Sequence, residues 1–259
     1  DQARAVLNLP ASGGPFAKLP NPLKTNPKVG LYRPFTSSMD EGWTRLVFDN
    51  NQIPYKSISN EDFRQNRFVD LDVIVLAADN ENTIVRGLSA ERYPAEFAGG
   101  IGDTGVENLK KFVENGGKLV CFDDSCELAI KRFNLPVGNV LAGLKRNEFY
   151  NPGSVVKLTV DTKHEVARGM PEQIPAYFTS SSAFEITGAE RQNVDVIARY
   201  AEKDALLSGW MLGEKLINGK PALIDVTYGK GKIVMFAFRP QHRGQSWATF
   251  QLIFNSLER

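Results

Sequence analysis

The sequence predicts an α/β protein with a mostly parallel sheet, helices on both faces of that sheet and an antiparallel C-terminal extension. Strand and helix patterns alternate over the first half of the chain, which is typical of parallel sheets. The run Val73–Leu76 is apolar throughout, as expected for a strand that is covered on both faces. The second half instead holds short alternating runs and a hairpin signal, which are typical of antiparallel strands.

The first half of the chain contains the patterns of the parallel part. Ser37 or Ser38 is placed to cap the helix after the first strand, since Trp43, Leu46 and Val47 recur at helical spacing. The strands are expected at residues 28–33, 53–57, 72–77 and 118–122.

A second helix is expected directly before the fourth strand. Thr104 and Glu107 have the spacing of a capping box, and apolar residues recur behind them at helical spacing. Gly116 and Gly117 are placed to end this helix. Another helix, at residues 125–133, should follow the fourth strand.

The second half predicts shorter strands and a closing helix. A Tyr-Gly-Lys-Gly turn separates the runs 221–228 and 232–238, which indicates a hairpin. Further strands are expected at residues 155–160, 183–186, 195–200 and 205–209. The last helix should begin near Ser246, with one apolar face formed by Trp247, Phe250, Ile253, Phe254 and Leu257.

The division of the chain follows from proline content. Residues 1–27 hold five prolines and no periodic apolar pattern, so we interpret them as a linker or an extended arm. Residues 28–259 are interpreted as one domain. Because the chain opens at Asp1 rather than at a Met, we expect it to be a fragment of a longer protein or a processed form.

Composition excludes several classes of function. The 259 residues carry a net charge of +1, which gives no electrostatic basis for nucleic-acid or membrane partners. The two histidines, His164 and His242, lie far apart and have no ligand at metal-site spacing, so no metal is expected. The hydroxyl run from Thr179 to Ser182 lacks the Gly-x-Ser-x-Gly pattern of a serine hydrolase.

Three polar segments should converge at the carboxyl ends of the strands, where open α/β sheets bind ligands. They are residues 33–43, 123–125 and 239–242. Two interpretations remain open: a polar pocket that binds a ligand or a partner loop, or charges that cap helices and pair with one another. The residues concerned are Arg33, Asp40, Glu41, Asp123, Asp124, Arg239, Gln241, His242 and Arg243.

The segment Phe238-Arg239-Pro240-Gln241 resembles the Phe-His-Pro-Glu segment of class I glutamine amidotransferases. The resemblance implies a flavodoxin-like fold, and counting from the Gly116-Gly117 pair it places the nucleophile position on Asp123. The degenerate triad positions are then Asp123, Arg239 and Gln241. Arginine stays protonated and cannot act as a base, and glutamine carries no charge that could stabilise an imidazolium.

Two cysteines lie near that nucleophile position without occupying it. Cys121 falls two residues earlier, inside the expected strand, and Cys126 falls three residues later, in the first turn of the helix. A displaced cysteine faces a different environment, so neither is expected to replace the missing nucleophile. The chain itself is therefore not expected to be an enzyme.

Longer motifs are similar to a domain that follows certain bacterial zinc carboxypeptidases of the carboxypeptidase A type. The resemblance implies an exported parent enzyme whose zinc is held by a separate peptidase domain, with no cofactor in this chain. The implied partners are that peptidase domain and a peptide or small molecule, and the implied role is stabilising the peptidase, positioning it or supplying substrate contacts. The motifs are Tyr32-Arg33-Pro34-Phe35, residues 40–45, residues 207–213 and residues 238–245.

On this interpretation, a structural cluster or binding surface comprises Arg33, Asp40, Glu41, Trp43, Asp124, His242 and Arg243. A rival hypothesis is a stand-alone hydrolase or transferase that uses Asp123 with Arg239 and His242. A third is a small-molecule sensor that uses the same strand-end pocket. Because the amidotransferase resemblance places Asp123 and Arg239 at the nucleophile and base positions, we expect these two residues to lie within ion-pair distance.

Overall fold

The computed structural model describes residues 23–188 and 191–258. Its strands are β1 (Val29–Tyr32), β2 (Tyr55–Ile58), β3 (Val73–Leu76), β4 (Lys118–Phe122), β5 (Val137–Asn139), β6 (Ser154–Val160), β7 (Gln173–Phe178), β8 (Phe184–Ile186), β9 (Val194–Tyr200), β10 (Leu206–Gly209), β11 (Pro221–Tyr228) and β12 (Gly231–Phe236). Its helices are α1 (Met39–Asn50), α2 (Asn60–Arg64), α3 (Glu81–Arg86), α4 (Gly102–Glu114), α5 (Cys126–Arg132) and α6 (Trp247–Leu257).

The main sheet is mixed, with a parallel part and an antiparallel part. The parallel part has the order β2-β1-β3-β4-β12. The hairpin partner β11 continues the sheet in antiparallel fashion and is followed by β9 and β6. One edge of β6 pairs with β7, and the other is shared by β9 and β10. The predicted antiparallel extension is therefore present and contains as many strands as the parallel part.

Alternating strand residues build a separate core on each face of the sheet. Val73, Val120 and Phe236 face one cluster, which includes Phe48 of α1 and Phe254 of α6. Ile74, Leu119 and Met235 face the other cluster, to which α2, α3, α4 and α5 contribute apolar side chains. Both faces of the central strands β3 and β4 are thus buried, which explains their apolar sequences, whereas the edge strand β2 keeps two exposed polar residues.

Most predicted elements of the parallel part are present, with small shifts. The second strand begins at Tyr55 rather than at residue 53, and the hairpin between β11 and β12 turns where the Tyr-Gly-Lys-Gly run predicts. The sequence missed β5, β7, α2 and α3. The strand β7 carries Pro175, which is compatible with its position on the sheet edge.

Of the two helix caps predicted from the sequence, the structure confirms the one at Ser38 and contradicts the one at Thr104. The Ser38 side chain accepts a hydrogen bond from the Glu41 backbone N–H, so the capping prediction for α1 is confirmed for Ser38. The predicted capping box at Thr104 is wrong, because α4 already begins at Gly102 and its first residues carry no side-chain cap. Backbone packing of the preceding turn, where the Ile101 N–H donates to the Ile84 carbonyl, fixes the earlier start.

The predicted arm, residues 1–27, lies mostly outside the described residues. Within the described part, Leu23 packs against the core, and the Lys24 N–H donates to the Glu258 carboxylate. None of the described helices has the length and apolar character needed to cross a membrane.

Candidate functional site

The carboxyl ends of four neighbouring parallel strands bring polar residues to one edge of the sheet. Asp123 follows β4 directly, and Arg239 comes three residues after β12. Asp79 follows β3 at the same edge, and the segment after β1 leads to Asp40 at the start of α1. With Asp124, which follows Asp123, this edge holds four carboxylates and one guanidinium from segments that are far apart in sequence.

Asp123 occupies a sharp turn between β4 and the helix that follows it. Its φ is +47°, a left-handed conformation that is uncommon for a residue other than glycine, although Asp is one of the few that tolerate it. A short 3₁₀ turn, Asp123–Ser125, then leads into α5. The Ser125 hydroxyl accepts from the Phe122 N–H at 2.9 Å and donates to carbonyl oxygens, which holds the turn in place.

Arg239 is the centre of an ion-pair network with three carboxylates. Its Nε lies 3.3 Å from Asp123 Oδ2 and 3.6 Å from Asp40 Oδ2, and its Nη2 lies 3.3 Å from Asp124 Oδ2. The predicted proximity of Asp123 and Arg239 is therefore confirmed. The alternative in which these charges pair with one another is realised for this part of the predicted site.

Burial dominates the electrostatics of the network. It raises the pKa of Asp123 well above its ordinary value, and the neighbouring Asp124 adds to this shift while Arg239 opposes it. Burial also raises the pKa of Asp40 and of Asp124, again against the effect of Arg239. Desolvation works against the charge on Arg239, but the surrounding carboxylates, led by Asp123, raise its pKa. Arg239 therefore stays protonated, and its charge favours the ionised forms of Asp40, Asp123 and Asp124.

Gln241, which the motif resemblance assigns to the third triad position, is fully buried beside this network. Its Nε2 donates to Asp40 Oδ1 at 3.4 Å. The Thr249 hydroxyl donates to the Pro240 carbonyl at 2.6 Å and fixes the segment that carries Gln241. Among the described residues, Gln241 Oε1 and Asp123 Oδ1 are buried and have no hydrogen-bond partner.

Two further residues of this edge were not identified from the sequence. Ser181 donates its hydroxyl hydrogen bond to Asp123 Oδ2 at 3.0 Å, and the Ser38 hydroxyl donates to Asp79 Oδ2 at 2.9 Å. Burial raises the pKa of Asp79 to about 6. Asp79 could have been found by applying the strand-end rule to β3, whereas the contact of Ser181 joins segments 58 residues apart and leaves no local signal.

The remaining predicted site residues do not join the network. Arg33 is exposed, Trp43 is half-buried, and Glu41 pairs with Arg45 within α1. His242 and Arg243 line a neighbouring cavity instead. The residues predicted to form a structural cluster or a binding surface are therefore divided: Asp40 and Asp124 join the network, whereas His242 and Arg243 line the cavity beside it.

The residues present limit the chemistry of this edge. Asp123, which the motif resemblance places at the nucleophile position, is fully buried and ion-paired. Arg239, which it places at the base position, is a guanidinium that cannot accept a proton. Burial also raises the pKa of the thiols of Cys121 and Cys126, which disfavours the thiolate form. Among the described residues, no group of three His, Cys, Asp or Glu side chains is arranged to hold a metal ion.

The sequence matches no known protein-family profile and no curated protein. The fold, however, is similar to several solved structures. A GMP synthase subunit protein from Thermoplasma acidophilum is 12% identical, with 90% of this chain and 94% of that chain covered and a TM-score of 0.55. A cytoplasmic protein from Salmonella typhimurium LT2 is 14% identical, with 89% and 99% covered and a TM-score of 0.52.

A ThuA-like protein from Bacteroides uniformis is also similar, at 14% identity, 89% coverage of both chains and a TM-score of 0.51. At such low identity these likenesses show the fold alone. They support a mixed α/β fold with ThuA-like and glutamine amidotransferase-like neighbours. Nothing in them shows a carboxypeptidase parent.

Proposed function

We propose that this chain is a non-catalytic, glutamine amidotransferase-like domain that assists an exported zinc metallocarboxypeptidase. The observation that carries the non-catalytic part is the ion pair between Asp123 and Arg239. These residues occupy the nucleophile and base positions that the motif resemblance assigns, and they bind each other at 3.3 Å. A paired, buried carboxylate and a permanently charged guanidinium have no free capacity for nucleophilic or base catalysis.

The strand order supports a flavodoxin-like interpretation of the fold. The parallel strands β2-β1-β3-β4-β12 follow the order 2-1-3-4-5 of flavodoxin-like sheets when β12 is counted as the fifth parallel strand. The left-handed φ of Asp123 supports the same interpretation, because a nucleophile elbow has this kind of strained strand-to-helix turn. The scaffold of an elbow thus remains although its nucleophile is absent.

The carboxypeptidase part of the proposal rests on the motif resemblance. One exposed surface of the domain is a candidate for the contact with the peptidase. Trp210 belongs to one of the resembling motifs and is 53% exposed. Leu207 and Leu212 of the same motif are exposed as well, and the Trp210 ring lies 5.8 Å from the ring of Tyr150. Exposed aromatic and aliphatic side chains that cluster in this way are typical of protein contacts. We propose that they contact the peptidase domain, which would hold the zinc.

A small-molecule-binding role for the strand-end edge is the alternative, and one observation favours it. Asp123 Oδ1 and Gln241 Oε1 are buried acceptors without a partner among the described residues, and such groups are costly unless something donates to them. A ligand with two donor groups would satisfy both. A hydrolase at the same place has less support, because His242 forms no hydrogen bond or ion pair with Asp123 in the described part of the chain.

The test uses the full-length parent protein. Reading the coding sequence upstream of Asp1 establishes whether a His-x-x-Glu and a later His precede this domain. Peptidase turnover and melting temperature are then measured for the parent, for the parent lacking this domain and for Trp210→Ser. Tyr93→Ser is the matched control, because Tyr93 is 46% exposed and lies outside the resembling motifs.

The accessory role predicts that deletion and Trp210→Ser each lower turnover or melting temperature, while Tyr93→Ser changes neither. If no peptidase precedes Asp1, or if deletion leaves both quantities unchanged, the accessory role is rejected. Ligand binding at Asp123 and Gln241 is then the hypothesis to test on this chain.

A further inference from the structure

A cavity of about 330 Å³ lies beside the strand-end network but is separate from it. It is open to solvent and is lined by residues of β6, β7, the 3₁₀ turn His242–Gly244 and the start of α6. None of the network residues Asp40, Asp123 or Arg239 lines it. Its volume is at the lower end of the range of about 300–1,000 Å³ typical of small-molecule sites.

Aromatic side chains form much of the cavity wall. The rings of Tyr177 and His242 stack with their centroids 4.1 Å apart and their planes 20° apart, and Trp247 lies nearby in the lining. The Trp247 Nε1–H donates to the Gly244 carbonyl at 3.1 Å, which fixes the indole. Val155 and Pro175 add apolar surface. The wall therefore suits a flat or apolar group.

The His242 ring contributes no charge to this wall at neutral pH. Burial, together with the neighbouring Arg243 and Arg239, lowers the pKa of His242 to about 4. Its Nδ1 is buried and has no hydrogen-bond partner among the described residues. The imidazole is thus a neutral aromatic surface with unused hydrogen-bonding capacity.

Arg243 gives the cavity its single charge. It is exposed to solvent, it is the one charged residue in the lining, which includes no Asp or Glu, and it forms no ion pair with any described residue. Its backbone has a φ of +52°, a conformation unfavourable for arginine that persists only where surrounding structure holds it. A guanidinium without a counter-charge beside an acid-free cavity is complementary to an anion.

We propose that this cavity binds a small monocarboxylate with an aromatic or apolar body. The Arg243 guanidinium pairs with the carboxylate, and the body lies against Tyr177, His242 and Trp247. A single arginine matches one bidentate carboxylate, and the apolar wall selects against small hydrophilic acids. The site does not depend on the accessory role, because its residues and its charge are independent of any peptidase domain.

The test is calorimetric titration of the chain at neutral pH with three probes: N-acetylphenylalanine, its uncharged amide and N-acetylalanine. The first should bind at least about tenfold more tightly than either of the others, because only it has both the charge and the ring. Equal affinity for the acid and the amide, or no binding of the acid at millimolar concentration, overturns the proposal.

Substitutions in the cavity lining test whether the acid binds there. Arg243→Asn removes the charge and suits the left-handed backbone, so the acid should bind no better than the amide while affinity for the amide is unchanged. Tyr177→Ala removes one of the aromatic rings of the wall, so it should weaken the binding of both N-acetylphenylalanine and its amide. Arg86→Gln is the matched control, because Arg86 is exposed at the end of α3 outside the cavity lining, and it should change neither affinity. Full retention of acid binding by Arg243→Asn contradicts the proposal.

Discussion

Arg239 Nε lies 3.3 Å from Asp123 Oδ2, although Asp123 is completely buried and the Arg239 side chain retains 20% exposure. A carboxylate removed from water is unfavourable unless a counter-charge and hydrogen bonds compensate for it. Here the compensation comes from Arg239 and from the hydroxyl of Ser181. The positive charge of Arg239 is therefore needed for the stability of this edge of the sheet, because without it Asp123 would be a buried carboxylate with no counter-charge from Arg239.

Arg239→Gln should destabilise the protein by about 3 kcal/mol at neutral pH, the lower end of the range for removing one partner of a buried pair. The loss arises because Asp123 and Asp40 remain in place without their counter-charge. The free energy of unfolding is measured by urea denaturation. Arg86→Gln, at an exposed position, should change it by less than about 0.5 kcal/mol. Equal effects of the two variants would contradict this account of the network.

Two substitutions at Asp123 should show how much its charge contributes to stability and how much its hydrogen bond and backbone conformation contribute. Asn tolerates the left-handed φ and can still accept the hydrogen bond from Ser181, so Asp123→Asn should stay within about 1 kcal/mol of the native protein. Alanine cannot accept that hydrogen bond, and the left-handed φ is less favourable for alanine than for Asp or Asn. Asp123→Ala should therefore lower the free energy of unfolding by about 2 kcal/mol. Urea denaturation checks the order. Equal stability of the two variants would show that neither effect operates.

The sequence predicted the parallel strands and the β11–β12 hairpin because the signals for these elements are local. The apolar run Val73–Leu76 and the turn between β11 and β12 can be recognised from a few adjacent residues. The strand β7 could not be recognised in this way, since Pro175 interrupts its pattern and only pairing with β6 makes it a strand. Thr104 was misassigned for the same reason, because tertiary packing of the preceding turn decides where α4 starts.

The candidate site was predictable where strand ends determine it. Asp123, Arg239 and Asp40 follow or lie near the carboxyl ends of adjacent strands, so topology alone brings them together. The cavity beside His242 was not predictable, because it requires Tyr177 from β7 to stack on the turn after β12. No sequence pattern encodes that contact between distant segments.

Both cysteines should be unreactive in the native protein. Cys121 and Cys126 are free and buried, and desolvation raises the pKa of each thiol. Because the thiolate is the reactive form, a thiol reagent at about pH 8 should label neither residue until the chain unfolds. Labelling is followed by mass spectrometry with and without guanidinium chloride. Rapid native labelling of Cys126 would show that the elbow opens and would reinstate a reactive thiol near it.

Two glycines should respond in opposite directions to alanine. Gly42 lies on the exposed side of α1, and a methyl group there meets nothing within 4 Å, so Gly42→Ala should stabilise the protein by about 0.5–1 kcal/mol. At Gly231, the start of β12, a Cβ would lie 2.2 Å from the carbonyl oxygens of Gly117 and Val113. Gly231→Ala should therefore destabilise by more than about 2 kcal/mol. Melting temperatures that shift in the same direction would contradict this packing.

Asp79 makes the stability of the strand-end edge depend on pH. Burial raises its pKa to about 6, and the nearby carboxylates of Asp40, Glu41 and Asp124 add to the shift while the Ser38 hydroxyl opposes it. A carboxyl whose pKa is higher in the folded state binds its proton more tightly there. Its contribution to stability is complete below the ordinary pKa of about 4 and is lost as pH rises through about 6.

Asp79→Asn should remove this loss, because the amide stays neutral and can still accept from Ser38. A shift of about two pKa units corresponds to roughly 2–3 kcal/mol. The free energy of unfolding of the variant, relative to the native protein, should therefore rise by that amount between about pH 4 and pH 7. Urea denaturation at several pH values measures it, and the low-pH values serve as the internal control. A difference between the two proteins that stays constant with pH would mean that the pKa of Asp79 is the same in the folded and unfolded states, which would contradict the shift assigned to its burial.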